Sequence, residues 1–232
     1  ACAPTPTEIE DEPTSIPAED TPTAEPLPTE VEETEEVEEE PQILYVNLTW
    51  HQHQPLYYKD ENGVYTRPWV RVHATKDYLD MAQKVAEYQD VHVTFNLTQS
   101  LIRQLNDLAA GARDIYWVLA EKPVSELTEE EKQFILERFF DVNWENIVSR
   151  YPRYQELLDK RGSGDAESVQ AAMETFTDQD FIDLQVWFNL AWFDPQFLSE
   201  EPLLSLVEKG ENFSQDDKTI LFDQVSEILK RV

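Results

Sequence analysis

Cysteine is almost missing from this chain: of 232 residues, one is Cys, at position 2. A single thiol excludes an internal disulfide framework and any thiolate metal cluster. Basic residues are also scarce, 18 Lys and Arg against 48 Asp and Glu, for a net charge of −30. That balance argues against nucleic acid as a partner, because phosphate binding needs a basic surface. No run of about 18 apolar residues occurs, so no stretch of this sequence is suited to cross a bilayer as a helix.

Aromatic side chains are absent from the first 44 positions; the first of the 26 is Tyr45. Residues 1–40 hold 15 acids and no Lys or Arg, and eight of the 14 Pro lie in residues 1–41. Such a segment cannot bury enough apolar surface to offset its ordering entropy. Residues 1–41 therefore read as a disordered, self-repelling linker, able to reach on the order of 100 Å when extended. Residues 42–232 are enough for a real core. Ala1-Cys2, followed at once by this acidic tail, resembles the end of a bacterial lipoprotein signal, where Cys takes the lipid. The resemblance implies an extracytoplasmic protein tethered to a membrane through Cys2; the alternative is a free Cys in a tail. Ser226–Val232 stops inside a helical pattern with no Gly or Pro, which leads one to expect that the chain continues.

Ile43–Trp50 is β-branched and aromatic and reads as a mostly buried strand. His51-Gln52-His53-Gln54-Pro55 follows at its C-terminal end, then a loop with a turn at Asn62-Gly63. A helix is expected over Thr75–Tyr88, with Ala74, Tyr78, Ala82, Val85 and Ala86 as its apolar stripe. Val91–Leu97 reads as a second strand, parallel to the first because a crossover helix joins them. A helix from Gln99 carries Leu101, Ile102, Leu105, Leu108 and Ala109 on one face, with Gly111 as its stop. The remainder reads as helical. Thr128 to Glu131 is a capping box for a helix to about Phe140. Pro152–Lys160 is a short helix, and Thr177 caps a long segment to about Phe193 whose end should be deeply buried, a strand being the rival reading. Pro202 suits a first turn, Gly210 a stop and Ser214 a final cap. The fold class is α/β: two parallel strands, the opening of a larger domain, with a large helical insertion.

The concentrated chemistry is Trp50-His51-Gln52-His53-Gln54-Pro55. Ligands of parallel α/β folds sit beyond the C-terminal ends of strands. His and Gln donate and accept, which suits sugar hydroxyls, and Trp offers a stacking face for a pyranose. A metal reading competes, since His51 and His53 point the same way in a strand and His-x-His can ligate zinc. Asp60 and His73 are the available third ligands, though nothing in sequence fixes either nearby. The sequons at Asn47, Asn96 and Asn212 are read as chance.

These residues, with Pro68-Trp69-Val70-Arg71-Val72-His73-Ala74-Thr75-Lys76-Asp77-Tyr78, Thr94-Phe95-Asn96-Leu97 and Val186–Pro195, resemble the N-terminal part of glycoside hydrolase family 57, the α-amylase-type and related α-glucan-active enzymes. The resemblance implies an incomplete (β/α)7-type barrel, a retaining mechanism and no metal or other cofactor. It implies an α-1,4-glucan or maltooligosaccharide substrate, hydrolysed or transferred. By that resemblance His51 and His53 line the pocket around the cleaved sugar, with Trp50, Gln52, Trp69, Arg71, His73 and Asn96 as further substrate-binding candidates. Arg71 has a structural ion pair as its alternative, Trp69 a place in the core, and Asn96 the cap of the next helix. A retaining glycosidase needs two carboxyl groups about 5–5.5 Å apart across the bond. The family takes both from later strands, and no segment here matches the motifs around either. Asp60, Asp141 and Asp194 are the nominees in reach, without a physical reason to choose one. The expectation is that the catalytic pair is encoded beyond Val232 and that these residues alone are inactive. Two other functions stay open: a carbohydrate-binding protein without the chemistry, and a His-metal hydrolase such as a deacetylase.

Overall fold

A computed structural model of the protein describes residues 43–232. The expected linker over 1–41 and the lipid-attachment candidate Cys2 lie outside the described residues. Strand β1 (Leu48–Gln52) pairs in parallel with β2 (Val93–Leu97), placing Trp50 beside Phe95 and His51 beside Asn96. The crossover between them is helical: α1 (Trp69–His73), one π-helical turn (Ala74–Tyr78) and α2 (Leu79–Ala86) run on directly. The helix therefore opens six residues before the expected Thr75. Pro68 is its N-cap, a place where a missing backbone N–H costs nothing.

The expected burial of the first strand is corrected. The ladder lies over 48–52 rather than 43–50, and Ile43 to Val46 are exposed. Leu48, Trp50 and Leu97 are exposed as well. A two-stranded ladder satisfies one row of backbone groups, and among the described residues no layer covers these apolar side chains. The same holds for the stripe on α2, where Ala82 and Ala86 are exposed.

Helix α3 (Gln99–Ala109) ends near Gly111, whose φ of +102° suits a residue without Cβ. Within the stretch that reads as helical, two helices have no bounds marked in the sequence, α4 (Ile115–Glu121) and a later one, α7 (Ala166–Thr175). The Ile-Tyr-Trp-Val run of the first has high strand propensity. It is helical because Asp114 caps it, accepting the Trp117 N–H at 3.0 Å. The second buries only Val169 and Ala172, too thin a stripe to show in sequence.

The rest follows its caps. Capping boxes at Thr128, Thr177 and Ser214 open α5 (Glu129–Arg138), α8 (Asp178–Leu190) and α11 (Gln215–Leu229). Between them lie α6 (Pro152–Arg161), α9 (Pro195–Leu198) and α10 (Leu203–Lys209). The rival strand reading near Val186 falls: the segment is α8, with every residue from Asp183 to Leu190 buried. It ends at Leu190 rather than Phe193. An all-round apolar helix has to be enclosed, and α4, α5, α6 and α11 pack about it. Phe188 stacks on Phe139 at 4.8 Å and on Tyr116 at 5.3 Å in the middle of this core. Among the described residues no helix is long and apolar enough to cross a membrane.

One buried cation, Lys218, rests on neutral oxygens. Lys218 on α11 is 1 % exposed and donates to the Lys122 carbonyl and to Gln185 Oε1, both at 2.9 Å. Burial pushes its pKa down to about 8, against the weaker pull of Glu121. In the unfolded chain the amine titrates near 10.4. Between those values the unfolded chain binds more protons, so stability rises with pH. Urea unfolding at pH 7.5 and 9.5 should give an increase of about 1–2 kcal/mol, absent from Lys218→Met. Equal slopes for both proteins would show that the folded amine titrates normally.

Candidate functional site

The segment 51–55 is held in place by the start of α3. Thr98 N–H donates to the Gln52 carbonyl at 3.2 Å, and Ser100 Oγ to the Gln54 carbonyl at 2.7 Å. The Gln104 amide donates to the Pro55 carbonyl at 2.9 Å and accepts from Tyr57 N–H at 2.9 Å. A polar loop thereby gets its backbone groups satisfied, and its side chains keep a fixed direction.

His51, in β1, and His53, just past its end, stand two apart and project to one side. Their rings stack at 5.9 Å with 18° between planes. His51 Nδ1 lies 3.1 Å from Asn96 Oδ1, its neighbour on β2. Both His, with Gln52, Gln54, His73, Asp77, Tyr78, Asp80 and Met81, line an open pocket of about 390 Å³. Gln52 reaches Met81 Sδ at 3.2 Å, and Gln54 Oε1 accepts from Tyr57 OH at 2.8 Å.

The opposite wall is the crossover helix at its π turn. His73 Nδ1 is 2.6 Å from Asp77 Oδ2. Partial burial of Asp77 works to raise its pKa, but the His73 hydrogen bond and Lys76 outweigh it and hold the carboxyl below the usual range. Asp80 moves the other way: burial raises it, and Asp194 adds to the rise. Burial pushes Tyr78 up to about 12, with Gln54 opposing. The π turn itself is clamped by the segment after α8. Thr75 Oγ1 donates to the Trp192 carbonyl at 3.1 Å, and Asp194 N–H donates to the Thr75 carbonyl at 3.1 Å. Single π turns interrupt a helix at some cost and recur at functional sites.

Three expected site residues lie elsewhere. Trp50 is on the other side of β1 from His51 and stacks on Phe95 at 5.4 Å. Trp69 packs edge-on against Trp192 at 6.1 Å and does not line the pocket. Arg71 takes its structural alternative. It is buried, donating to Asp114 at 2.6 and 3.2 Å and to Asn189 Oδ1 at 2.8 Å. Asn96 touches His51 without lining the cavity. The three nominated carboxylates have local partners as well. Asp60 accepts the Asn62 and Val64 N–H groups of a turn, Asp141 accepts Tyr116 OH, and Asp194 caps α9. Among the described residues, no three His, Cys, Asp or Glu side chains converge as a metal site.

Asp80 and Met81 were not anticipated in the pocket, nor was Asp77 singled out or Tyr78 given any place but the stripe. The signal was present: positions 73, 77, 80 and 81 repeat at helical spacing, on a face more polar than the one taken for the stripe. The family model of glycosyl hydrolase family 57 matches residues 47–230. A comparison with curated proteins found no match, and one with solved structures found none.

Proposed function

Because this chain belongs to glycosyl hydrolase family 57, we propose that it serves the retaining hydrolysis or transfer of α-1,4-glucan, with a maltooligosaccharide held in the pocket at the end of β1. The two-stranded sheet is then the opening of a (β/α)7-type barrel. The observation that carries the reading is the pair of near-parallel imidazoles facing an open cavity of about 390 Å³ whose walls include Gln52, Gln54, His73 and Asp77. In this reading His51, ordered by Asn96, and His53 bond sugar hydroxyls and face the anomeric centre. His73 and Asp77 form a rigid pair that presents one carboxylate to a hydroxyl. No metal or cofactor is invoked.

Asp77 and Asp80 are not assigned to bond cleavage. They stand three apart on one helical wall, whereas a retaining pair must flank the glycosidic bond from opposite faces. Asp77 is moreover tied to His73 at 2.6 Å. This arrangement favours a second reading as well, in which the chain binds glucan without cleaving it.

Titration with maltoheptaose, alongside reducing-end release from soluble starch, separates the two. Saturable binding is expected in either, and His51→Ala is expected to weaken it about tenfold, or about 1.4 kcal/mol. In any form that releases reducing ends, the same change lowers turnover at least tenfold. Binding and turnover unaltered by His51→Ala would remove the pocket from the function. Binding with no reducing ends released favours the second reading.

A further inference from the structure

A second cavity lies in the helical part, beside Trp144 in the turn between α5 and α6. The indole is fixed twice. Its Nε1–H donates to the Phe140 carbonyl at 2.8 Å, and the Arg161 guanidinium lies 5.3 Å from the ring centroid. Arg161 is 4 % exposed, yet it makes no ion pair among the described residues and its Nε has no hydrogen-bond partner. Gly164 leaves it room, since a Cβ there would overlap the guanidinium.

Despite these anchors Trp144 is 43 % exposed. With Glu145, Gln155, Leu158 and Asp159 it walls an open groove of about 550 Å³. That volume is within the range of small-molecule sites, and so is the blend of an apolar face with few polar groups. A rigid exposed ring is a costly thing to leave in water, and it binds without further loss of rotamer freedom. The charges choose the ligand. Glu145 and Asp159 on the rim repel an anion. The guanidinium already seated beside the indole disfavours a second cation on the ring. A neutral ligand with a flat C–H face and outward hydroxyls meets both conditions. The C–H face covers the indole, and the hydroxyls donate to the two carboxylates; Gln155 holds that of Asp159 at 2.8 Å.

We propose that this groove is a second carbohydrate site, which stacks a pyranose chain on Trp144. The choice of an α-glucan as its ligand rests on the functional reading above. The test is calorimetric titration of the full chain with maltoheptaose, with thermal unfolding as a check on folding. Two binding steps are expected. Trp144→Ala removes one of them, Asp159→Ala weakens the same step at least threefold, and His51→Ala leaves that step intact. Asp159 is exposed and touches neither the indole anchor nor Arg161, so it decides the matter where Trp144→Ala fails to fold. A folded Trp144→Ala, or a folded Asp159→Ala, that binds like the parent overturns the second site. Loss of all binding in His51→Ala overturns it too and leaves the first pocket standing. Loss only in Trp144→Ala supports it and removes the first pocket. No binding by the parent chain overturns both.

Discussion

Replacing Arg71 with Leu is expected to lower the free energy of unfolding by about 3–5 kcal/mol, the range for one partner lost from a buried ion pair. Both side chains of the Arg71–Asp114 pair are about 1 % exposed. The guanidinium donates twice to Asp114 and once to Asn189 on α8. It thus ties the crossover helix to α4 and to the central helix. In the variant Asp114 keeps the Trp117 N–H as a donor but loses its counter-charge in a place water does not reach. Asn189 Oδ1 loses its donor as well. The total stability of a domain is only about 5–15 kcal/mol, so this one change takes a large share. A second substitution, Asp114→Asn, should recover part of the loss, because Asn caps a helix as well as Asp and carries no charge. Urea titrations of the single and double variants measure both numbers. A loss below about 1 kcal/mol for Arg71→Leu would mean that the site opens to water.

Replacing Arg153 with Leu is expected to cost about 3 kcal/mol or more by the same mechanism. Its Nε donates to Asp183 at 2.8 Å and its Nη2 to Asp180 at 2.7 Å. Asp183 is fully buried on α8 and would keep two neutral donors, Gln179 Nε2 and Phe213 N–H. Asp180 retains Lys160 at 2.7 Å, so the exposed end of the network survives and the buried end fails. Combining Arg153→Leu with Asp183→Asn should restore part of the stability, and a simple sum of the two single effects would refute the coupling. This network also sets an acid limit. Burial works to raise the Asp180 pKa, but Lys160, the Thr177 backbone and hydroxyl donors and Arg153 outweigh it and hold it well below the usual range. A carboxyl depressed by folding stabilises above its unfolded pKa, and that contribution is lost as pH falls below about 4.

Much of this was legible in the chain. Thr128, Thr177 and Ser214 announce their helices because a cap is a local matter of one side chain and one backbone N–H. Gly111 and Gly210 stop helices for an equally local reason, a positive φ. His51 and His53 share a side, as the alternation of an extended chain suggests, although His53 lies just past the end of β1. What failed was whatever depends on neighbours. Trp50, beside two pocket histidines in sequence, faces the other way, and Arg71, two residues from His73, is a strut.

By itself, then, the sequence determined the parallel strand pair, the caps, the polar cluster after the first strand and the resemblance that the family match confirms. Local chemistry and fixed backbone periods suffice for those. The sequence put His73, Asp77 and Asp80 on one helical face and offered His73 as a candidate; tertiary structure decided that this face of the crossover helix meets that cluster. It decided that Arg71 is spent on Asp114, 43 residues on, and that Trp144 is left facing a groove. Such pairings join distant segments, and burial sets their energies; a string of residues does not state which of them water will leave.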